Sequence, residues 1–179
     1  MKHILISLFI FFLGLFFVSC EVDDGMPTMG TIGSQNSTEF SSPQPLNKTW
    51  KSAIEELGLK FQSSFENGDV DGVMSCFWNS PDVILVLENG QVVRGWDNIR
   101  MGVQNTIENT DARSVVVDEV EQFRLGENVY SVGTATWTIT PKGGTEFSYT
   151  ERWTDVIRKV SGQWVYLVDH AHDLTPFGG

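Results

Sequence analysis

The chain has 179 residues, and its 23 acidic against 12 basic side chains give a formal net charge of −11. Such a surface repels phosphate backbones, which argues against a nucleic-acid partner. The length suits one domain, and two cysteines leave no room for a disulfide framework.

Lys2 gives the chain a positive start, and residues 4–18 (ILISLFIFFLGLFFV) are almost wholly apolar. That run is shorter than the roughly 20 residues a membrane-crossing helix needs, but it suits the core of a signal peptide. Ser19 and Cys20 follow, and Phe17-Val18-Ser19-Cys20 resembles a bacterial lipobox. Residues 1–19 are therefore expected to be removed, with Cys20 lipidated as the new N-terminus. The resemblance implies a cell-envelope address, with the chain anchored to a bacterial membrane and facing the periplasm or the surface. Residues 20–47 are rich in Gly, Ser, Thr, Pro and Asn. They lack the apolar surface that would offset ordering, so a flexible tether is expected. Cys76, left without a partner, sits in the apolar run Val73-Met74-Ser75-Cys76-Phe77-Trp78 and reads as a buried structural thiol.

The domain itself is expected over 48–174, with 175–179 as a tail. Trp50, Ala53, Ile54, Leu57, Phe61 and Phe65 recur at spacings of three and four, the signature of one helix face from about Thr49 to Glu66. Asn67-Gly68-Asp69 ends it, and a short second helix follows from Val70 to Phe77. Residues 83–87 (VILVL) predict a buried strand, turned by Asn89-Gly90 into Gln91-Val92-Val93. A third helix follows Gly95 and Asp97, with Ile99, Val103 and Ile107 along one side. From Ser114 the pattern becomes four long antiparallel strands, Val115–Arg124, Val129–Thr140, Thr145–Lys159 and Gln163–His172. The expected class is α+β, in the order ααββαββββ, with helices on one face of an antiparallel sheet.

Residues 89–99 (NGQVVRGWDNI) look like the hairpin-to-helix segment of SnoaL-like domains. Gly162-Gln163-Trp164 followed by Asp169-His170-Ala171 resembles the closing strand of the same nuclear transport factor two-like superfamily. The likeness is nearest to the group that includes the association domain of calcium/calmodulin-dependent protein kinases, although His172 stands where that group has serine. It implies a cone-shaped, strongly curved sheet wrapped around a long N-terminal helix, with a pocket inside. The superfamily includes ketosteroid isomerases, dehydratases and cyclases beside members without chemistry, so fold alone does not fix function.

A three-residue loop at Val160-Ser161-Gly162 would set Lys159 opposite Gln163, Arg152 opposite His170 and Trp153 opposite Asp169. Alternation then puts Glu151, Trp153, Asp155, Ile157, Val165, Leu167, Asp169 and Ala171 on one face. The resemblance implies that this face looks into the pocket, and that Asp155 and Ala171 replace its arginines. Asp155 and Asp169 are the candidate general acid or base, because a carboxyl on a dry wall has a raised pKa. Glu151, Trp153, Trp137, Tyr149 and Trp78 are candidate pocket residues. Arg152, His170 and His172 form a second candidate site on the other face. Two histidines there lack a third ligand, so no metal is expected, nor any cofactor. Tyr166, Trp164 and Val168 would leave an apolar stripe on the outer face, which predicts a homodimer. The expected function is binding of a small, largely apolar or carbonyl-containing ligand. An isomerase, dehydratase or cyclase using an Asp, and a non-enzymatic homo-oligomeric interaction module, are the alternatives.

Overall fold

The computed structural model describes residues 42–174, so the signal segment, Cys20, most of the tether and the tail 175–179 lie outside the described residues. Within them a short strand β1 (Gln44–Pro45) precedes the helix α1 (Lys48–Glu66). Asn47 caps α1, its side-chain oxygen accepting from the Trp50 N–H at 2.9 Å. Asn67 closes the helix and Gly68 leaves it at φ 72°, a conformation in which a β-carbon would strain the chain. Asp69 then caps the short α2 (Val70–Met74) through the Gly72 N–H.

The hairpin β2 (Ile84–Val86) and β3 (Val92–Arg94) leads into α3 (Trp96–Glu108). Four long strands follow: β4 (Thr110–Leu125), β5 (Asn128–Pro141), β6 (Phe147–Val160) and β7 (Gln163–Asp173). They form one curved, open sheet in the order β1-β4-β5-β6-β7-β2-β3. All neighbours are antiparallel except β2 and β7, which run parallel with Leu85 beside Asp169. The two residues of β1, in the stretch read from sequence as tether, pair with Arg124 and Phe123 of β4.

One face of the sheet carries Val129, Ala135 and Ile139 of β5 and Ile157 of β6, buried with Ile54, Leu57 and Phe65 of α1. Val73, Met74 and Phe77 in and after α2, and Ile99 of α3, complete this core. The sheet bends where one strand holds an extra residue, at Asp118 of β4 and Leu167 of β7.

The β6–β7 hairpin differs from the sequence prediction in two ways. The turn is two residues long, with Ser161 at φ 49° and Gly162 at φ 87°, so Val160 rather than Lys159 faces Gln163. Two left-handed residues match the twist of the flanking strands better than a longer loop does. Leu167 then bulges, which shifts the register a second time between Val156 and Ile157. The outcome pairs Arg152 with His172, Trp153 with Ala171 and Asp155 with Asp169, instead of the predicted partners. Between turn and bulge the faces exchange: Tyr166 is opposite Ile157, and Trp164 is opposite Lys159. Tyr166 is therefore buried among Phe61 and Phe77, and Trp164 meets Trp50 of α1 edge-on at 4.8 Å. The apolar outer stripe that motivated a dimer does not exist, because two of its three members lie under the helices.

Candidate functional site

Cross-strand register brings the sequence-predicted acids together. Asp155 of β6 lies directly opposite Asp169 of β7 and opposite Ser131 of β5. Four residues back along β6, Glu151 is opposite Ala135 and Asp173. Trp153 sits between the two acids of β6 and opposite Gly133, so all these side chains share the core-facing side. Gly133 is what lets the indole lie down there: a β-carbon at this position would collide with the Trp153 ring and the Glu119 carbonyl.

Asp155 and Glu151 are 5% and 6% exposed, and Asp169 is half-buried. Burial raises the Glu151 pKa to about 8, with the charge of Asp169 adding to the effect. Burial likewise holds Asp155 well above the ordinary carboxylate range, reinforced by the charge of Asp169 and a hydrogen bond with it. Asp169 is raised by burial to about 6, and the same hydrogen bond restrains its rise. The two carboxyls face each other with raised pKa values, so the pair favours keeping a proton near neutral pH. Among the described residues the ion pairs are Lys51–Glu55 and Arg100–Asp71, and neither involves these acids.

Aromatic side chains complete the wall. Trp137 of β5 is opposite Tyr149 of β6, their rings stacked at 6.4 Å, and Phe65 of α1 packs edge-on against Trp137 at 5.1 Å. The Trp137 Nε1 is buried without a hydrogen-bond partner. It is near enough to Glu151 to favour that carboxylate, yet falls short of hydrogen-bond geometry. The Tyr149 hydroxyl is held above its usual pKa by burial and then by Glu151, Glu88 and Asp173. Tyr166, read from sequence as an outer residue, has its pKa raised by burial and next by Asp155 and Asp169. It belongs to this site, as do Ser131 and Gly133. No sequence signal marks Tyr166, because the Leu167 bulge that turns it inward has no fixed sequence pattern.

The remaining candidates lie elsewhere. Trp78 packs against the core beside β7, its N–H donating to the Tyr166 carbonyl at 3.0 Å. Arg152, His170 and His172 are exposed on the opposite face, with Arg152 across from His172 and His170 across from Thr154. Among the described residues no group of three or more His, Cys, Asp or Glu is arranged to hold a metal. None of the described helices is long and apolar enough to cross a membrane.

A buried carboxyl pair sharing one proton is poised to give and take a proton on a bound molecule at neutral pH. Solved structures place this arrangement in a known fold. A nuclear transport factor 2-like superfamily protein from Salmonella enterica matches with a TM-score of 0.67 and 20% identity, over 73% of this chain and 94% of that one. A proposed dehydratase of the same family from Streptomyces avermitilis matches with a TM-score of 0.64 and 18% identity, over 70% and 96%. A proposed calcium/calmodulin-dependent protein kinase II association domain from Xanthomonas campestris matches with a TM-score of 0.62 and 16% identity, over 78% and 99%. At these identities the likeness is one of fold. No functionally curated protein matches the chain. The model of the SnoaL-like domain matches residues 59–167, more than half of the chain, and the chain belongs to that family.

Proposed function

We propose that the core-facing acids and aromatics line a pocket for a small, largely apolar ligand with a carbonyl or related oxygen function. In this reading the Asp155–Asp169 pair moves a proton on the ligand, as an isomerase, dehydratase or cyclase would. The observation that carries it is the carboxyl pair itself, Asp155 directly opposite Asp169 across β6 and β7, with no ion pair to either among the described residues. A structural role would be better served by a cation or by apolar side chains, since removing charges from water without compensation is costly. Asp169, the less buried member, takes a proton from carbon or oxygen of the ligand, and Asp155 supplies one elsewhere on it. The family neighbour described as a proposed dehydratase is compatible with such chemistry.

Native mass spectrometry of the purified full-length chain should show a retained small molecule. Asp169→Asn keeps the shape and removes the base, so it should retain that molecule but abolish its turnover. Retention with no turnover by the parent would leave a binding protein without catalysis. Failure to retain anything, together with unchanged properties of Asp169→Asn, would overturn the pocket reading.

The address of this pocket is part of the proposal. The apolar run 4–18 followed by Ser19-Cys20 supports a lipid anchor on Cys20 and an envelope location. Cys20→Ala should release the protein from the membrane fraction or block its processing, and an unaltered membrane fraction would count against the anchor.

A further inference from the structure

Basic side chains gather at the end of the domain where the chain enters it. β1 ties Gln44 and Pro45 to Arg124 and Phe123, which fixes the point of entry beside the β4–β5 turn. The Arg158 Nε donates to the Asn128 side chain at 2.7 Å, so the β6–β7 turn lies alongside, with Lys159 opposite Trp164. Trp164 meets Trp50 near the start of α1, and the Arg124 guanidinium lies over the Trp50 ring at 4.4 Å. Lys48 and Lys51 flank Trp50 on that helix. Lys48, Lys51, Arg124, Arg158 and Lys159, five of the chain's 12 basic residues, thus share one end, and all but Arg158 are exposed. α1 has no acid in its first turn, so the positive end of its dipole adds to them. Glu127 in the β4–β5 turn and Glu55, 3.9 Å from Lys51, offset part of this charge. The opposite end of the sheet carries Asp111, Glu146, Glu151 and Asp173.

We propose that this basic end rests on the anionic headgroups of the membrane that holds Cys20, its lysines and Arg124 meeting lipid phosphates. The proposal rests on the lipid-anchor reading above and adds to it which way the domain faces. Gln44 follows Cys20 by 24 positions. A segment of that length reaches no further than about 80 Å, so the domain stays at high local concentration and a weak contact suffices. A chain of net charge −11 is repelled by an anionic surface in most orientations. With this end down, its positive charge comes within a Debye length of the lipids and the acids of the opposite end stand away from them. An acidic protein would meet the same charges, but the point of entry favours the surface to which the chain is already tied.

Full-length protein extracted from membranes is reconstituted on phosphatidylcholine vesicles with or without phosphatidylglycerol. Lysine reactivity towards a water-soluble acylating reagent is then read by mass spectrometry. Lys60, about 18 Å further along α1 than Lys48, and Lys142 in the β5–β6 turn are internal references. With phosphatidylglycerol present, Lys48, Lys51 and Lys159 should be protected relative to these two. The protection should vanish on neutral vesicles and in about 0.5 M salt. Lys159→Gln should lower the docking equilibrium read at Lys48 and Lys51 about fivefold, the effect of removing one charge near an anionic surface. Even reactivity of all five lysines on anionic vesicles would overturn the docking while leaving the anchor. Protection that persists on neutral vesicles would overturn the role of charge. Protection already present in neutral detergent would give this surface to a second copy instead. A chain that joins neither kind of vesicle would sink both the anchor and the docking.

Discussion

Single residues decide whether the inner face can exist at all. Gly133 is needed for space rather than for backbone freedom, since its φ is not in the left-handed region. The Gly133→Ala side chain would have to displace both the Trp153 indole and the β4 backbone at Glu119. A cost of about 1–3 kcal/mol is expected, as for other overpacked interiors, together with a change in Trp153 fluorescence. Urea unfolding checks the first and emission spectra the second. An unchanged midpoint would mean that Trp153 moves aside freely, and the wall it helps to form would then be soft. The sequence does not show this role, because a glycine inside a strand pattern signals only that something comes close. What comes close was knowable only once Trp153 stood opposite.

At the scale of elements, all three helices end without a basic residue in their last turn, and α1 and α3 are the long ones. Arg113 of β4 serves both. Its Nε donates to the Phe65 carbonyl of α1 at 2.9 Å, and its Nη1 donates to the Ile107 carbonyl of α3 at 3.2 Å. The same Nη1 also donates to the Thr110 carbonyl and hydroxyl. A guanidinium at helix C-termini meets the negative end of both dipoles and satisfies carbonyls the helices leave open. Arg113→Met should therefore cost about 2–3 kcal/mol, the range for hydrogen bonds to a charged donor. Its urea midpoint should fall with little change in slope. Local signals such as Gly68 and Asn89-Gly90 were readable because capping and turn chemistry act over a few neighbouring residues. Arg113 was not readable, because its partners are up to 48 positions away.

For the whole molecule, the inner acids set how stability depends on pH. Glu151 moves from the ordinary 4.5 to about 8 on folding, Asp169 from 3.8 to about 6, and Asp155 upward as well. Over these windows the unfolded chain sheds protons that the folded chain keeps, so the folded state loses ground as pH rises. The melting temperature should fall by several degrees from pH 5 to pH 8, and Glu151→Gln should flatten the fall above pH 6. A parent melting curve that rises over that span would refute the burial of these carboxyls. The family and the mixed α+β class were legible at this scale, in the hairpin-to-helix segment and the Gly-x-Trp closing strand. The hairpin register was not. The sequence predicted a loop one residue too long and missed the bulge; beyond Leu167 these two errors cancel in the face a residue takes but add to a two-residue shift in its partner. Asp155 and Asp169 thus fall on the expected face, whereas Trp164 and Tyr166 do not.

That cancellation reveals how β7 is read in two frames. Ahead of Leu167 the frame is fixed by the tight turn and by a bridge from Phe77 to Tyr166. Behind it the frame is fixed by β2, which holds Val168, Asp169 and His170 in parallel register. Leu167 acts as a parity bit between them. Deleting it should make the ladder regular with both frames kept: Tyr166 stays opposite Ile157, Val168 opposite Val156, and Asp169 inside. What the strand would lose is its bend, not the facing of its side chains.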